Sequence, residues 1–235
     1  MGKRIIVQRR GKGSFRYRAP SHRYKYRINY PMVNEPLKGT VIDIVNDQAR
    51  SSPLAIIEFN KKTKAVIPAP LNIRVSSEIN YNNHELSPGS ILKLSDIPEG
   101  TVIYNIEKSP NSNGTFCRAA GSSAKVLTKT SSYVLVQLPS KKQKKFHPEC
   151  RATIGTIAGS GRLEKPIMKA GKRHHMMKAK NKLYPQTSGV AMNAVDHPFG
   201  SGRGRHVGKS KIPPRNAPPG RNIGLIRARR TGRKR

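Results

Sequence analysis

Between residues 35 and 160 the chain alternates short apolar runs with turn residues. Val41-Ile42-Asp43-Ile44-Val45, Leu54-Ala55-Ile56-Ile57-Glu58-Phe59 and Ala65-Val66-Ile67 read as strands, because β-branched side chains suit a pleated, half-buried surface. Asn46-Asp47, Ser51-Ser52-Pro53 and the stretch from Asn60 to Lys64 supply the turns between them. After Ser87-Pro88-Gly89 the pattern restarts with Ile91-Leu92-Lys93-Leu94, Thr101 to Glu107, Ala124 to Thr128, Tyr133 to Leu138 and Ala152 to Ala158. Strands this short, spaced by roughly 8–12 residues, predict small barrels or sandwiches. No helical stripe interrupts them. The expected fold class is therefore all-β, with two small β domains in tandem at 35–88 and 89–160. A single larger β-sandwich is the alternative.

The flanking segments, 1–34 and 161–235, lack this pattern. From Gly159 onward Gly, Pro, Lys, Arg and His dominate and apolar residues come singly. Such a segment buries too little apolar surface to offset an ordering entropy of ~1–2 kcal/mol per residue. Both ends are expected to be extended and non-globular, ordering only on a partner.

Charge sharpens this division. The chain has 235 residues and a net charge of +34. Residues 1–34 hold 10 Lys and Arg and no acid, residues 35–160 hold 16 against 10, and residues 161–235 hold 20 against 2. The middle has an ordinary globular balance and the ends do not. Self-repulsion on this scale opposes compaction, so a polyanionic partner is implied. Nucleic acid fits, because neutralised phosphates release counterions and bind strongly. A membrane partner is not expected: apolar runs are only a few residues long, against the ~20 needed to span. No secretory signal is read either, and Met1-Gly2 is followed by Ile6 where a myristoylation site needs Ser or Thr. Two cysteines, Cys117 and Cys150, do not make a disulfide framework and are expected to be reduced.

The chemistry of the ends points to RNA. Arg16 to Arg27 interleaves cations with Tyr17, Tyr24 and Tyr26. Arginine forks pair with phosphates and aromatic planes stack on splayed bases. The bland reading is a solvated charged tail. Lys169-Ala170-Gly171-Lys172-Arg173-His174-His175-Met176-Met177-Lys178-Ala179-Lys180 would, as a short helix, carry basic side chains all round, which suits the enclosing surfaces of folded RNA. The closing Arg227 to Arg235 reads as a generic basic tail or a localisation signal.

Enzymatic and metal readings find less support. His147-Pro148-Glu149-Cys150 offers one His/Cys pair, with Cys117 and His174-His175 far away, and no Cys-x-x-Cys exists. Asp196 and His197 are adjacent, and successive residues of an extended chain point to opposite sides, so they are not expected to pair as base and orienter. No nucleophile elbow, Walker loop or dinucleotide fingerprint occurs. Gly200-Ser201-Gly202-Arg203-Gly204-Arg205 reads instead as a loop whose backbone approaches phosphates closely. No cofactor, metal or catalytic residue is assigned. An RNA-modifying enzyme using His197 and a free RNA-binding regulator are the competing readings.

The run Gly189-Val190-Ala191-Met192-Asn193-Ala194-Val195-Asp196-His197-Pro198-Phe199-Gly200 resembles the signature of the universal large-subunit ribosomal protein L2 family, in its archaeal and eukaryotic form. The likeness extends through Gly2 to Arg18, Phe116 to Gly121, Lys169 to Arg173, Lys209 to Arg215 and Gly224 to Gly232, essentially the whole chain. It departs at Ser188, where the family commonly has Arg, and at Ser201, where a glycine triplet is usual.

The resemblance implies an OB-fold-like domain, an SH3-like barrel, and a carboxy-terminal extension threading into ribosomal RNA. It implies a translation protein of the cytoplasmic ribosome that binds large-subunit rRNA and neighbouring large-subunit proteins. The small subunit at an intersubunit bridge and, indirectly, tRNA complete the implied partners. His197 matches a family histidine implicated in peptidyl transfer. Because RNA performs that chemistry, His197 is carried over as an RNA-contacting residue. The expected RNA-binding set is Arg9, Arg10, Lys12, Arg16, Tyr17, Arg18, Arg23 and Tyr24 in the amino-terminal arm, and Arg118 in the middle. In the extension it comprises Arg162, Lys169, Lys172, Arg173, His174, His175, Lys178, Lys180, Asn193, His197, Arg203, Arg205, Lys209, Arg227, Arg229 and Arg230.

Overall fold

The computed structural model describes residues 2–33, 35–60, 63–83, 85–202 and 204–225. They form two compact units: Ser21–Pro166, and a second in which residues up to Pro20 come together with those from Ile167 onward. The Ser21–Pro166 unit is built of β structure. Its strands are β1 (Leu37–Val45), β2 (Leu54–Phe59), β3 (Thr63–Pro68), β4 (Glu78–Tyr81), β5 (Ile91–Lys93) and β6 (Val102–Tyr104). They are followed by β7 (Ile106–Glu107), β8 (Gly114–Phe116), β9 (Ala124–Lys129), β10 (Val134–Gln137), β11 (Gln143–Phe146) and β12 (Arg151–Ile154).

Ten strands share one sheet in the order β11-β10-β9-β6-β12-β5-β4-β1-β2-β3, while β7 and β8 form a separate hairpin. Neighbours are antiparallel except β4 and β5, which meet in parallel at Tyr81 and Ile91. Two hydrophobic cores flank that junction. Tyr30, Val41, Ile57, Phe59, Ile67, Ile79 and Ile91 lead the first. Leu92, Leu94, Ile103, Val126, Val136, Phe146 and Ile154 lead the second.

Local chemistry explains the details that periodicity blurs. In β1 the alternation that buries Leu37, Gly39 and Val41 turns Ile42 outward although it sits in an apolar run, and the register against β2 then slips in a bulge between Val41 and Asp43. The run from Thr101 to Glu107 divides in two because Asn105 adopts a left-handed backbone (φ 51°), which ends β6 and starts β7. β11, Gln143-Lys144-Lys145-Phe146, lacks an apolar alternation because it is an edge strand, where lysines protect open hydrogen-bonding groups. Lys144 Nζ lies 4.0 Å over the Phe116 ring and Lys145 Nζ 4.0 Å over Tyr133, so their stems cover aromatic surface.

The last part of the amino-terminal segment packs into this unit, contrary to its reading as a non-globular arm. Ile28 and Tyr30 are buried, and Asn29 pairs with Val66 through its backbone and side chain. The reason is polar as well as apolar. Tyr30 donates its hydroxyl to the Asn105 carbonyl (2.7 Å) and is positioned to accept from Thr153 (2.7 Å).

A buried ion pair lies beside it. Arg151 Nη2 contacts Glu107 Oε1 at 2.7 Å, with the two side chains 7% and 0% exposed. The arginine also donates to the Pro31 carbonyl (2.6 Å) and the Tyr81 hydroxyl (3.0 Å). Glu107 accepts from the backbone N–H groups of Asn113 (3.0 Å) and Arg151 (2.9 Å). Burial pulls Arg151 down from its ordinary pKa, and its hydrogen bonds to Glu107 and Tyr81 outweigh that pull, so it is raised. Replacing Arg151 by Met strands a buried carboxylate, with an expected loss of about 3–5 kcal/mol in urea unfolding. Lys64→Met, which breaks the exposed 3.8 Å pair with Glu58, should cost about 1 kcal/mol or less in the same assay.

Candidate nucleic-acid interface

Two helices organise the second unit: α1 (Ile6–Gly11) and α2 (Ala170–Ala179). α1 starts where the Gln8 side chain accepts the Ile5 N–H (3.2 Å), and it presents exposed Arg9 and Arg10, with Lys12 just beyond. α2 buries no side chain. At about 100° per residue its Lys172, Arg173 and Lys178 point roughly 0°, 100° and 240° around the axis. With Lys169 and Lys180 at its ends, the helix is positive on every side, as its sequence implies. It has no apolar stripe with which to dock on a protein core.

α2 ends in a Schellman-type turn: Lys182 N–H reaches the Met177 carbonyl (2.9 Å), and Asn181 takes the left-handed position (φ 48°). That places the Asn181 amide to donate to the Arg18 carbonyl at 2.8 Å, tying the amino-terminal arm to the helix. Arg18 Nε in turn donates to the Gly13 carbonyl at 2.6 Å. These bonds close the turn Phe15–Tyr17 from both sides. A cleft of about 450 Å³ results, lined by Phe15, Arg16, Tyr17, His174, Lys178 and Tyr184 among others. Arg173 lies 5.4 Å over the Tyr184 ring and the His174 and His175 rings meet edge-on at 5.5 Å.

The segment 189–200 is folded into turns rather than extended. The Asn193 carbonyl accepts both the Asp196 and His197 N–H groups (3.0 and 3.2 Å), and the His197 carbonyl accepts that of Gly200 (2.8 Å). Asp196 faces Lys3 at 3.2 Å, and the Lys3 N–H donates to the Val195 carbonyl at 2.8 Å. The carboxylate is thus engaged away from the imidazole, and the adjacent pair forms no catalytic dyad. His197 Nδ1 accepts the Phe199 N–H at 3.0 Å, which fixes the neutral tautomer with its proton on Nε2. A Cβ on Gly189 would collide with this imidazole, and one on Gly200 with the Asn193 carbonyl, so both glycines are required by close approach. Ser201 hydrogen-bonds the Gly204 carbonyl, giving that serine a role in shaping the basic loop.

The sequence-derived residues divide between the two units. Arg16, Tyr17, His174 and Lys178 converge on the cleft. Arg23, Tyr24, Arg118 and Arg162 belong to the β unit. Asn193, Arg205 and Lys209 are exposed along the extension. Arg203, Arg227, Arg229 and Arg230 lie outside the described residues. Phe15 and Tyr184 escaped the sequence reading, although Phe15 simply extends the aromatic-basic alternation by one position. Arg50 escaped it too. It stands close enough to Arg118 that burial, and then the Arg50 charge, push the Arg118 guanidinium down from its ordinary pKa. Arg50 Nε is itself buried with no hydrogen-bond partner among the described residues. A single arginine in a turn carries no pattern that sequence could reveal.

Metal ligation gains nothing from the geometry. Cys150 sits in the second core and Cys117 packs against it, and burial pushes both thiols up to about 11, away from the thiolate a metal requires. Among the described residues no group of three His, Cys, Asp or Glu side chains is arranged to hold an ion.

Residues 87–217 match the family model of the Ribosomal Proteins L2, C-terminal domain. This chain belongs to the uL2 family. A large ribosomal subunit protein uL2 of Methanococcoides burtonii is 49% identical over 100% of both chains. That of Haloarcula marismortui is 48% identical over 99% of this chain and 98% of its own. That of Archaeoglobus fulgidus is 50% identical over 99% of each. The uL2 resemblance read from the Gly189–Gly200 run and its companion segments therefore holds across the full length, in its archaeal form.

In this uL2 chain burial pushes His197 below its ordinary value of 6.5. The folded turn therefore favours neutral imidazole, and its stability should fall as pH drops through 6.5. Two-dimensional NMR titration should place the His197 midpoint lower than that of a histidine in an unstructured peptide. Phe199 resonances should move with it.

Proposed function

We propose that this uL2 chain is a structural constituent of the large ribosomal subunit and a primary binder of its rRNA. It works in translation on the cytoplasmic ribosome and is a structural component rather than an enzyme. The observation that carries this reading is the split of charge. Residues 35–160 hold 16 Lys and Arg against 10 acids, while the ends hold 30 of the 46 Lys and Arg against 2 acids. Cations so concentrated, on a helix with no buried face, suit RNA segments that close around them and would otherwise repel one another. The relatives' names, large ribosomal subunit protein, agree with it.

In this reading residues 35–88 are an OB-fold-like domain and 89–160 an SH3-like barrel, which matches the two cores meeting at the β4–β5 junction. The arm 1–34, apart from the stretch around Ile28 to Tyr30 that packs into the β unit, and the extension 161–235 are the rRNA-threading parts. Arg9, Arg10, Lys12, Arg16, Arg18, Arg23, Arg118, Arg162, Lys169, Lys172, Arg173, Lys178, Lys180, Arg203, Arg205, Lys209, Arg227, Arg229 and Arg230 neutralise phosphates. Tyr17, Tyr24, His174 and His175 pack on sugars and bases. Asn193 and the Nε2–H of His197 read a base edge or a ribose hydroxyl, since both side chains can donate. Other large-subunit proteins are its neighbours, and contact with the small subunit and an indirect effect on tRNA follow from the same family reading.

The protein should co-sediment with large subunits after washing in high salt. Recovery only in RNA-free fractions would overturn the assignment. In binding to purified large-subunit rRNA, log affinity should fall linearly with log salt. Replacing Arg173 by Gln should reduce that slope by roughly 0.7–0.9, one phosphate's worth.

A further inference from the structure

We propose that the cleft between the Phe15–Tyr17 turn and the end of α2 is a site for one unpaired RNA nucleotide. The base stacks on the cleft's aromatic rings, and the phosphate lies against Arg16 and Lys178. The proposal rests on the rRNA-binding reading and specifies what this part of the surface takes.

Four observations carry it. First, the cleft combines three aromatic rings with an imidazole and three cations, Arg16, Lys178 and Lys182, the combination that holds single-stranded RNA. Second, Phe15 is 80% exposed, in a unit whose helices bury none of their own side chains. A large apolar ring left in water beside cations has a stacking partner as its natural complement. Third, the walls are fixed in advance. The Asn181 amide holds Arg18, Arg18 holds Gly13, and the Arg173 guanidinium lies over the Tyr184 ring, 5.4 Å from its centroid. A pre-shaped cleft spares the entropy of ordering two chain segments on binding. Fourth, about 450 Å³ falls within the ~300–1,000 Å³ that encloses small-molecule-sized ligands. It accommodates a base with its sugar and not a duplex, whose bases are already stacked on both faces. Only a splayed nucleotide presents a free face here.

The phosphates of any RNA would bind the basic unit, so the test must separate base from backbone. The probes are a fluorescent oligoadenylate hexamer and an abasic oligoribonucleotide of the same length and charge, titrated with full-length protein at fixed salt. The hexamer should bind more tightly than the abasic chain. Phe15→Ala and Tyr17→Ala should each weaken hexamer binding by about 5- to 150-fold, the range expected for loss of one stacked base, and leave abasic binding unchanged. Tyr17→Phe should restore the wild-type value, because the ring and not the hydroxyl makes the contact. Arg16→Gln should weaken both probes together. Phe15 is exposed, so its replacement leaves the fold intact, which circular dichroism verifies. Equal affinity for the two probes, or aromatic variants that weaken both alike, overturns the site while the RNA-binding reading stands. Failure of wild-type protein to bind either probe at low salt overturns both.

Discussion

The β unit depends on the Glu107–Arg151 pair. The pair sits where two small cores meet, and neither core has the size at which a single hydrophobic interior supplies much stability. A buried carboxylate and guanidinium tolerate no loose fit, because every unsatisfied donor or acceptor at low dielectric is penalised heavily. The pair therefore fixes β7 against β12, holds Pro31 and Tyr81 by the same guanidinium, and brings the segment around Tyr30 into the seam. The polar seam specifies one arrangement.

The other unit obeys the opposite logic. It has almost no acid with which to neutralise itself, and its few internal bonds are spent on shape: Lys3 with Asp196, Asn181 with Arg18, Phe199 with His197. The first two connect segments far apart in sequence, the third closes a local turn, and none neutralises the cations of α2. The protein thus folds its backbone into turns while leaving its charge uncompensated. That is the right state for a surface whose counter-charge arrives from RNA phosphates.

Much of the β architecture was legible in the sequence because β-branched runs and turn residues follow local rules. β1, β2, β3, β9 and β10 lie where Val41, Ile57, Val66, Val126 and Val136 suggested. β4, β8 and β11 were not legible: Glu78-Ile79-Asn80-Tyr81 is short, Gly114-Thr115-Phe116 lacks any apolar run, and Gln143–Phe146 is an edge strand that keeps lysines for protection. Tyr30 was read with the basic arm because its burial is decided by partners 75 and 123 positions away. At the candidate interface the residue types were legible and their grouping was not. Nothing in composition announces that Arg16 and Tyr17 share a cleft with His174 and Lys178. One asparagine amide decides it.

That amide has a consequence for how the protein comes into being. The bond from Asn181 to Arg18 spans 163 positions, and ribosomes add residues at about 5–20 per second. For roughly 8–33 seconds of every synthesis the arm has emerged while its partner helix has not. During that interval Phe15 and its neighbouring cations are unclamped and surrounded by the RNA of the ribosome making them. The carboxy-terminal segment thus arrives late, and what it adds is not cover, since Phe15 stays 80% exposed, but a fixed position for the arm.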